Sequence, residues 1–194
     1  MAKTSDNTTT TRTATSKRTL EMTFIALFVV LTAICSWISI PTAVPFTLQT
    51  FAVSMTVLML GGRRGTISIL VFILLAAIGV PVLSGFSGGL GILFGPTGGY
   101  ILGFLLTGII YWIITSFAGE SLPVRLAAIL AGIAVMYLFG TLWFVHVYTA
   151  GGDSITFGGA LMLCVVPFLI PEVIKQALAF TLSARLRPHM HLDD

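Results

Sequence analysis

The chain alternates long apolar stretches with short polar connections, and six such stretches can be distinguished. A helix crosses the hydrocarbon core of a membrane in about 20 residues. We therefore predict an all-α membrane protein with six transmembrane helices. Their approximate bounds are 20–40, 47–60, 66–82, 98–118, 125–147 and 159–183.

Two of these predicted spans are irregular. The second, residues 47–60, is short for a complete crossing, and the third is interrupted by glycine and proline at its outer end. Short or broken segments often line a binding site rather than lipid.

Composition supports the membrane assignment, since 56% of the residues are hydrophobic, only 9% are charged and the mean hydropathy is +1.03. A net charge of +3 could indicate a nucleic-acid partner, but the placement of the basic residues argues against one. They cluster at one side of the predicted spans, which by the positive-inside rule places both termini in the cytoplasm. These residues are Lys3, Arg12, Lys17, Arg18, Arg63, Arg64, Arg125, Arg185 and Arg187.

The chain divides into one membrane domain and two tails. Residues 1–18 are rich in threonine, with seven in the first 16 residues, and we predict a disordered cytoplasmic tail there. Residues 19–187 form the predicted six-helix membrane domain, and residues 188–194 form a second cytoplasmic tail.

One charged pair lies inside the last apolar stretch. Glu172 and Lys175 are three residues apart and share a helix face. Each would cost about 2.5–3.5 kcal/mol at the bilayer centre, so both must face protein or a polar ligand. Two interpretations stay open: a structural ion pair, and a binding site for a small polar molecule.

A glycine-rich stretch precedes the fourth span. Residues 79–100 contain eight glycines and two prolines among large apolar side chains. Irregular backbone at membrane depth is tolerated only where protein buries it or where it lines a cavity. We therefore expect either a tightly packed outer hairpin or a backbone that approaches a ligand.

The start of the second span is also polar. Thr47, Gln49 and Thr50 follow Phe46 there, and the amide of Gln49 offers both a donor and an acceptor, which suits an amide or urea group. The alternative is an ordinary residue at a helix end.

The sequence lacks the motifs of several function classes. The sequence has neither the phosphate-binding loop of nucleotide hydrolases nor a Cys/His cluster with metal spacing, so we expect no cofactor and no metal. Ser87 lies in a Gly-x-Ser-x-Gly match, as in six-span intramembrane serine proteases of the rhomboid type. The sixth predicted span has no histidine that could act as the base, and His146 lies at the outer end of the fifth, which disfavours an enzyme. A stand-alone secondary transporter would show inverted repeats, and none is evident.

Five motifs in order resemble the BioY family, the biotin-specific substrate-binding (S) component of energy-coupling-factor (ECF) transporters. They are Val44–Thr50, Leu60–Gly65, Ile78–Pro81, Ser87–Tyr100 and Pro171-Glu-x-x-Lys175. The resemblance implies an S-component-like fold that binds biotin from outside. It also implies a membrane coupling subunit, two cytoplasmic ATPases and surrounding lipid as partners.

The resemblance also implies site residues. Glu172 would accept the ureido N–H groups of biotin, Lys175 would meet its ureido oxygen or carboxylate, and Gln49 and Ser87 would complete the polar set. The remaining expected contacts are Phe46, Thr47, Phe86, Gly88, Gly89 and Tyr100. Some family members carry a basic residue where this chain has Ile101, and the side chain of Ile101 cannot pair with the carboxylate of biotin. Either Lys175 or backbone N–H groups would then contact that carboxylate.

The first helix of the family carries small residues that pack on the coupling subunit. Here Ala26 and Ala33 share a face, and Val30 occupies the place between them. Small residues let membrane helices approach closely. Packing within the monomer would explain them equally well.

The distribution of Lys and Arg makes the topology testable. A cysteine introduced at Asp153 should react with a membrane-impermeant thiol reagent in intact cells, whereas one introduced at Arg64 should be protected. The natural Cys35 and Cys164 lie within predicted spans, so the unsubstituted chain is the background control. Labelling at position 64 with protection at 153 would reverse the orientation.

Overall fold

The computed structural model describes residues 6–41, 45–152 and 155–190, and the side chains from residue 17 onward. Seven α-helices account for most of this length. They are α1 (Asp6–Trp37), α2 (Gln49–Ala77), α3 (Leu90–Leu93), α4 (Gly98–Ala118), α5 (Leu122–Ala150), α6 (Phe157–Cys164) and α7 (Leu169–Leu186). Strands β1 (Ser39–Ile40) and β2 (Phe46–Thr47) pair antiparallel in a small hairpin between α1 and α2.

Helix α2 reverses direction at Gly61. This glycine has φ 78° and ψ 172°, which is a non-helical conformation inside the segment. A Cβ atom on Gly65 would lie 2.8 Å from the Cα of Val57. Eight residues of continuous helix would separate these positions by about 12 Å. Residues 49–60 and 62–77 therefore form two antiparallel halves. They correspond to the predicted second span, 47–60, and third span, 66–82, although the helix ends at Ala77.

The described residues contain five helical segments long and apolar enough to cross a membrane. One of them is the whole of α2. Another extends from Phe157, at the start of α6, to His189, just beyond the end of α7. The all-α membrane fold predicted from the sequence is thus observed, with the second and third spans joined through the reversal at Gly61.

The core is built around α2. In its most apolar window 67% of the residues are buried, against 22–39% in the other four segments, so α2 is the central element. It packs against α1, α4 and α7, while α4 packs along α5 over most of its length. Gly103 and Gly132 make the α4–α5 approach possible, because a Cβ on either would press on Met136 or Thr107.

The predicted last span is broken. Helix α6 ends at Cys164, a single 3₁₀ turn covers Val166–Phe168, and α7 then begins at Leu169. Pro167 lies in this turn, as expected for a residue that cannot continue a helix. Pro171 is tolerated because it falls in the first turn of α7.

The glycine-rich stretch is irregular, as the sequence predicted. Before α4 begins at Gly98, its helical elements are a 3₁₀ turn, Ser84–Phe86, and the four residues of α3. Side chains from two flanking helices fix its backbone: Trp37 Nε1 donates to the Pro81 carbonyl at 3.0 Å, and Trp143 Nε1 donates to the Gly95 carbonyl at 3.0 Å. Ser36 on α1 donates to the carbonyl of Val82.

The N-terminal tail differs from the prediction. Residues 6–18 were expected to be disordered, but the backbone continues α1 back to Asp6. A helix already formed by an apolar segment extends at little cost per residue, since nucleation is the unfavourable step. Residues 1–5 and 191–194 of the two predicted tails lie outside the described residues, and the domain boundaries stay a prediction.

The α2 reversal generates a stability prediction. Gly65→Ala should lower the free energy of unfolding by about 1–3 kcal/mol, because the added methyl group would overlap the facing Val57 backbone. Gly158→Ala is the matched control, since nothing lies within 4 Å of a Cβ built at that helical position. Thermal unfolding in detergent would compare them. Equal melting temperatures for both variants would contradict the close packing of the two halves.

Candidate functional site

A cavity lies where the β-hairpin, the glycine-rich stretch and helices α4, α5 and α7 meet. The space between its walls is about 690 Å³, including the part that is open to the surroundings. Most of its walls are apolar, with a few polar groups between them. The lining residues are Pro45, Phe46, Thr47, Gln49, Thr50, Leu83, Ser84, Ile92, Thr97, Tyr100, Ile101, Phe104, Met136, Tyr137, Cys164, Phe168 and Lys175.

The charged pair of the last span is buried beside this cavity. The Lys175 ammonium lies 2.7 Å from Glu172 Oε2, and the two side chains are only 7% and 6% exposed. Both lie on the first two turns of α7, one helical turn apart. A buried pair of this kind requires further hydrogen bonds, because attraction alone does not offset desolvation of two charges.

The Glu172 carboxylate receives those hydrogen bonds from three helices. Thr50 Oγ1 on α2 and the Tyr137 hydroxyl on α5 donate to Oε2 at 2.9 and 3.1 Å. Gln176 Nε2, one turn further along α7, donates to Oε1 at 2.7 Å. Glu172 therefore ties α2, α5 and α7 together, and it lies behind the cavity wall rather than on it.

The Lys175 ammonium is similarly occupied. Besides Glu172 it donates to Thr50 Oγ1 at 2.6 Å and to the backbone carbonyl of Thr47 at 3.1 Å. It also lies 4.5 Å from the centre of the Phe46 ring, which stacks on Phe168. Its three N–H donors thus all have partners, and the aromatic face adds a cation–π contact.

Gln49 borders the cavity. Its side chain is 5% exposed, and its Nε2 atom is buried without a hydrogen-bond partner among the described residues. An unpaired buried donor costs about 1–3 kcal/mol, so a ligand acceptor that pairs with it gains affinity. An unpaired amide nitrogen on a residue of the cavity wall is a feature that favours a polar ligand.

The opposite wall is aromatic. The Tyr100 hydroxyl hydrogen-bonds with Thr141 Oγ1 at 3.1 Å, and its ring meets that of Tyr137 edge to face. Gly140 leaves the space for this ring, because a Cβ there would overlap it. Two rigid rings with satisfied hydroxyl groups thus give this wall an angled apolar surface against which a ligand ring can pack.

Comparison with known proteins identifies the family. The BioY family model matches residues 6–191 of this chain. The chain belongs to the BioY family.

Individual BioY relatives cover nearly the same length. The probable biotin transporter BioY of Pyrococcus horikoshii is 39% identical over 169 residues, covering 86% of this chain and 96% of that protein. The biotin transporter BioY of Thermotoga maritima is 34% identical, covering 83% and 92%. A solved structure described as the S-component for biotin from an ECF-type ABC transporter superposes with a TM-score of 0.75 at 26% identity, covering 96% of this chain and 95% of the other.

Five of the residues predicted for the BioY ligand site line the cavity: Phe46, Thr47, Gln49, Tyr100 and Lys175. They come from β2, the start of α2, α4 and α7, which the sequence alone could not bring together. Their role in binding stays a prediction.

The structure does not bring four predicted residues of the glycine-rich stretch to the cavity, namely Phe86, Ser87, Gly88 and Gly89. Ser87 Oγ donates to the Ser84 carbonyl at 2.7 Å, and Phe86 is 65% exposed and stacks on Trp37. Gly88 packs on the backbone of Val80, and Gly89 N–H donates to the Ala76 carbonyl at 2.7 Å. The bridge between Leu83 and Ser87 folds this stretch on itself, so Leu83 and Ser84 reach the cavity instead.

The sequence analysis did not predict several residues of the site. Thr50 and Tyr137 hold the charged pair, and Thr97, Cys164 and Phe168 line the cavity. Thr50 ends a motif that was already noted, and a tyrosine in the middle of the apolar fifth span was a usable signal for Tyr137. Nothing in the sequence distinguished the other three.

The two predicted interface alanines differ in burial. Ala26 is exposed on α1, whereas Ala33 is 5% exposed and belongs to the core. In this structure Ala33 packs within the monomer, so only Ala26 is available to a partner helix.

The bridging hydroxyl of Thr50 can be tested directly. Thr50→Val should lower the free energy of unfolding by about 1–3 kcal/mol, because it removes a donor to the buried Glu172 carboxylate and an acceptor from Lys175. Thr50→Ser keeps the hydroxyl and is the control. Thermal unfolding of ligand-free protein in detergent would measure both. If valine and serine gave the same melting temperature, the hydroxyl bridge would have no structural importance.

Proposed function

We propose that this protein is the biotin-binding S component of an ECF-type uptake transporter in the plasma membrane of a prokaryote. Family membership supports a transport protein rather than an enzyme. The observation in the structure that supports a polar ligand most directly is the unpaired amide nitrogen of the buried, cavity-lining Gln49.

The chemistry of biotin matches this cavity. Its ureido group has one carbonyl acceptor and two N–H donors, and its sulfur ring is apolar. Gln49 Nε2 would donate to the ureido oxygen, while the Gln49 carbonyl oxygen and the hydroxyl groups of Thr47 and Thr97 can accept from the N–H groups. The aromatic wall of Tyr100 and Tyr137 would cover the bicyclic ring.

In this proposal Glu172 and Lys175 act mainly by holding the site. The pair fixes Thr47 and Thr50 through hydrogen bonds, and those residues flank Gln49 in sequence. A direct contact between Glu172 and the ligand, which the resemblance implied, would require a change of its four present partners. Lys175 lines the cavity and contacts the ligand through its side chain.

We further propose the arrangement needed for transport. The chain crosses the membrane six times with both termini in the cytoplasm, counting the two halves of α2 separately. A membrane coupling subunit and two cytoplasmic ATPases provide the energy, consistent with a sequence that lacks a phosphate-binding loop. Ala26 is the exposed small residue proposed to face the coupling subunit, and lipid covers the remaining apolar surface.

Two other functions are less well supported. The rhomboid-type protease requires an active serine, but Ser87 donates to a neighbouring carbonyl and does not line the cavity. A stand-alone secondary transporter is disfavoured by membership of the BioY family.

Binding of biotin is the decisive measurement. Calorimetric titration of the full chain in detergent should give one biotin per chain, and biotin should bind more tightly than thiamine or riboflavin. Gln49→Leu should weaken biotin binding by roughly fivefold or more, the equivalent of a lost hydrogen bond, without lowering the melting temperature of the ligand-free protein.

Gln176→Leu is the matched control for Gln49→Leu. Its amide donates to Glu172, and Gln176 does not line the cavity. The substitution should therefore lower the melting temperature, while the protein that remains folded should bind biotin with nearly the natural affinity. Tighter binding of thiamine or riboflavin would contradict the proposed ligand. Unchanged biotin affinity in Gln49→Leu would remove this residue from the site.

A further inference from the structure

Basic side chains are rare in the membrane domain and at the cavity. Between Arg18 and Arg185 the sequence has only four Lys or Arg residues, namely Arg63, Arg64, Arg125 and Lys175. The two adjacent arginines line a separate cleft, and Arg125 donates to the Leu58 carbonyl at 2.9 Å. Among the described residues that line the cavity, Lys175 is thus the only Lys or Arg. His146, on α5, is exposed and is not part of the lining.

This single cation is already neutralised and fully hydrogen-bonded. Its three N–H donors point to Glu172 Oε2 at 2.7 Å, Thr50 Oγ1 at 2.6 Å and the Thr47 carbonyl at 3.1 Å. A ligand carboxylate could reach the ammonium only by displacing one of these partners. Displacing Glu172 would leave a buried carboxylate without its counter-charge, which is strongly unfavourable.

The remaining polar groups of the cavity do not distinguish an anion from a neutral amide. Hydroxyl groups such as those of Ser84 and Thr97 can donate to either, and Ile101 is apolar. Helix α4 begins at the cavity wall, and free N–H groups at a helix start could bind an anion. However, the Gly98 N–H donates to the Gly95 carbonyl and the Tyr100 N–H donates to the Thr97 carbonyl. The partial charge of a helix N-terminus generally favours an anion by less than about tenfold.

We propose that this cavity does not recognise the carboxylate of its ligand through charge, so that biotin derivatives with a neutral carboxyl end, such as the primary amide, are ligands of the same site. The inference rests on the proposed function, because it takes biotin as the parent ligand. Recognition is concentrated on the urea-like group opposite Gln49 and on the apolar ring. The ligand class is therefore broader than the free acid.

The test compares biotin with biotinamide, which has nearly the same shape but no charge. Calorimetric titrations of the full chain in detergent should give dissociation constants that differ by less than about tenfold, since loss of a charged hydrogen bond would cost about 30-fold or more. Biotinamide binding that is weaker by tenfold or more would overturn the inference while leaving biotin as the ligand. Absence of biotin binding would overturn the proposed function and, with it, the inference.

Lys175→Met gives a second test of whether the cavity recognises the ligand carboxylate through charge. If the ammonium does not contact the carboxylate, the substitution should change the affinities for biotin and biotinamide by the same factor. A selective loss of biotin binding would show that Lys175 meets the carboxylate, and the inference would be wrong. Should this variant fail to fold, as judged by its melting temperature, the ratio measured on the natural chain decides the question.

Discussion

The buried ion pair between Glu172 and Lys175 is the interaction on which the rest of the site depends. Neither charge would be tolerated at membrane depth alone, and the pair is retained because donors and acceptors from three helices complete it. Thr50 is the central partner, since its hydroxyl donates to the carboxylate and accepts from the ammonium. The pair thereby fixes the start of α2, and with it Gln49, against α7.

A reversal in α2 and a break between α6 and α7 allow the residues around the ion pair and the cavity to come together. The turn at Gly61 folds α2 into two antiparallel halves, and the break at Pro167 separates α6 from α7. Glycines then permit close packing around the cavity, as at Gly140, where the Tyr100 ring occupies the space of a side chain. The irregular stretch before α4 is stabilised by donors from Trp37 and Trp143 and forms part of the wall.

An important consequence concerns specificity. A cavity whose one ammonium is internally paired has little net charge to offer a ligand, so selectivity must come from hydrogen-bond pattern and shape. In the proposed function Gln49 would supply the pattern, because a buried unpaired amide disfavours ligands that lack a matching acceptor. The aromatic rings supply the shape, and both features suit a cyclic urea fused to an apolar ring.

The sequence by itself determined the membrane class, the all-α fold and the family. Apolar length and charge placement act along the chain, and motifs such as Pro171-Glu-x-x-Lys175 are read without tertiary contacts. It also predicted that Gln49 and Lys175 lie at a polar site, because polar groups in apolar segments are costly unless they have partners. The structure places both residues at the cavity. Only the tertiary structure decided that Glu172 lies behind the wall and that Ser87 turns away from the cavity. It likewise placed Ala33 in the core. Those outcomes depend on the direction in which a side chain points once loops and helices pack, and spacing along the chain does not fix that direction.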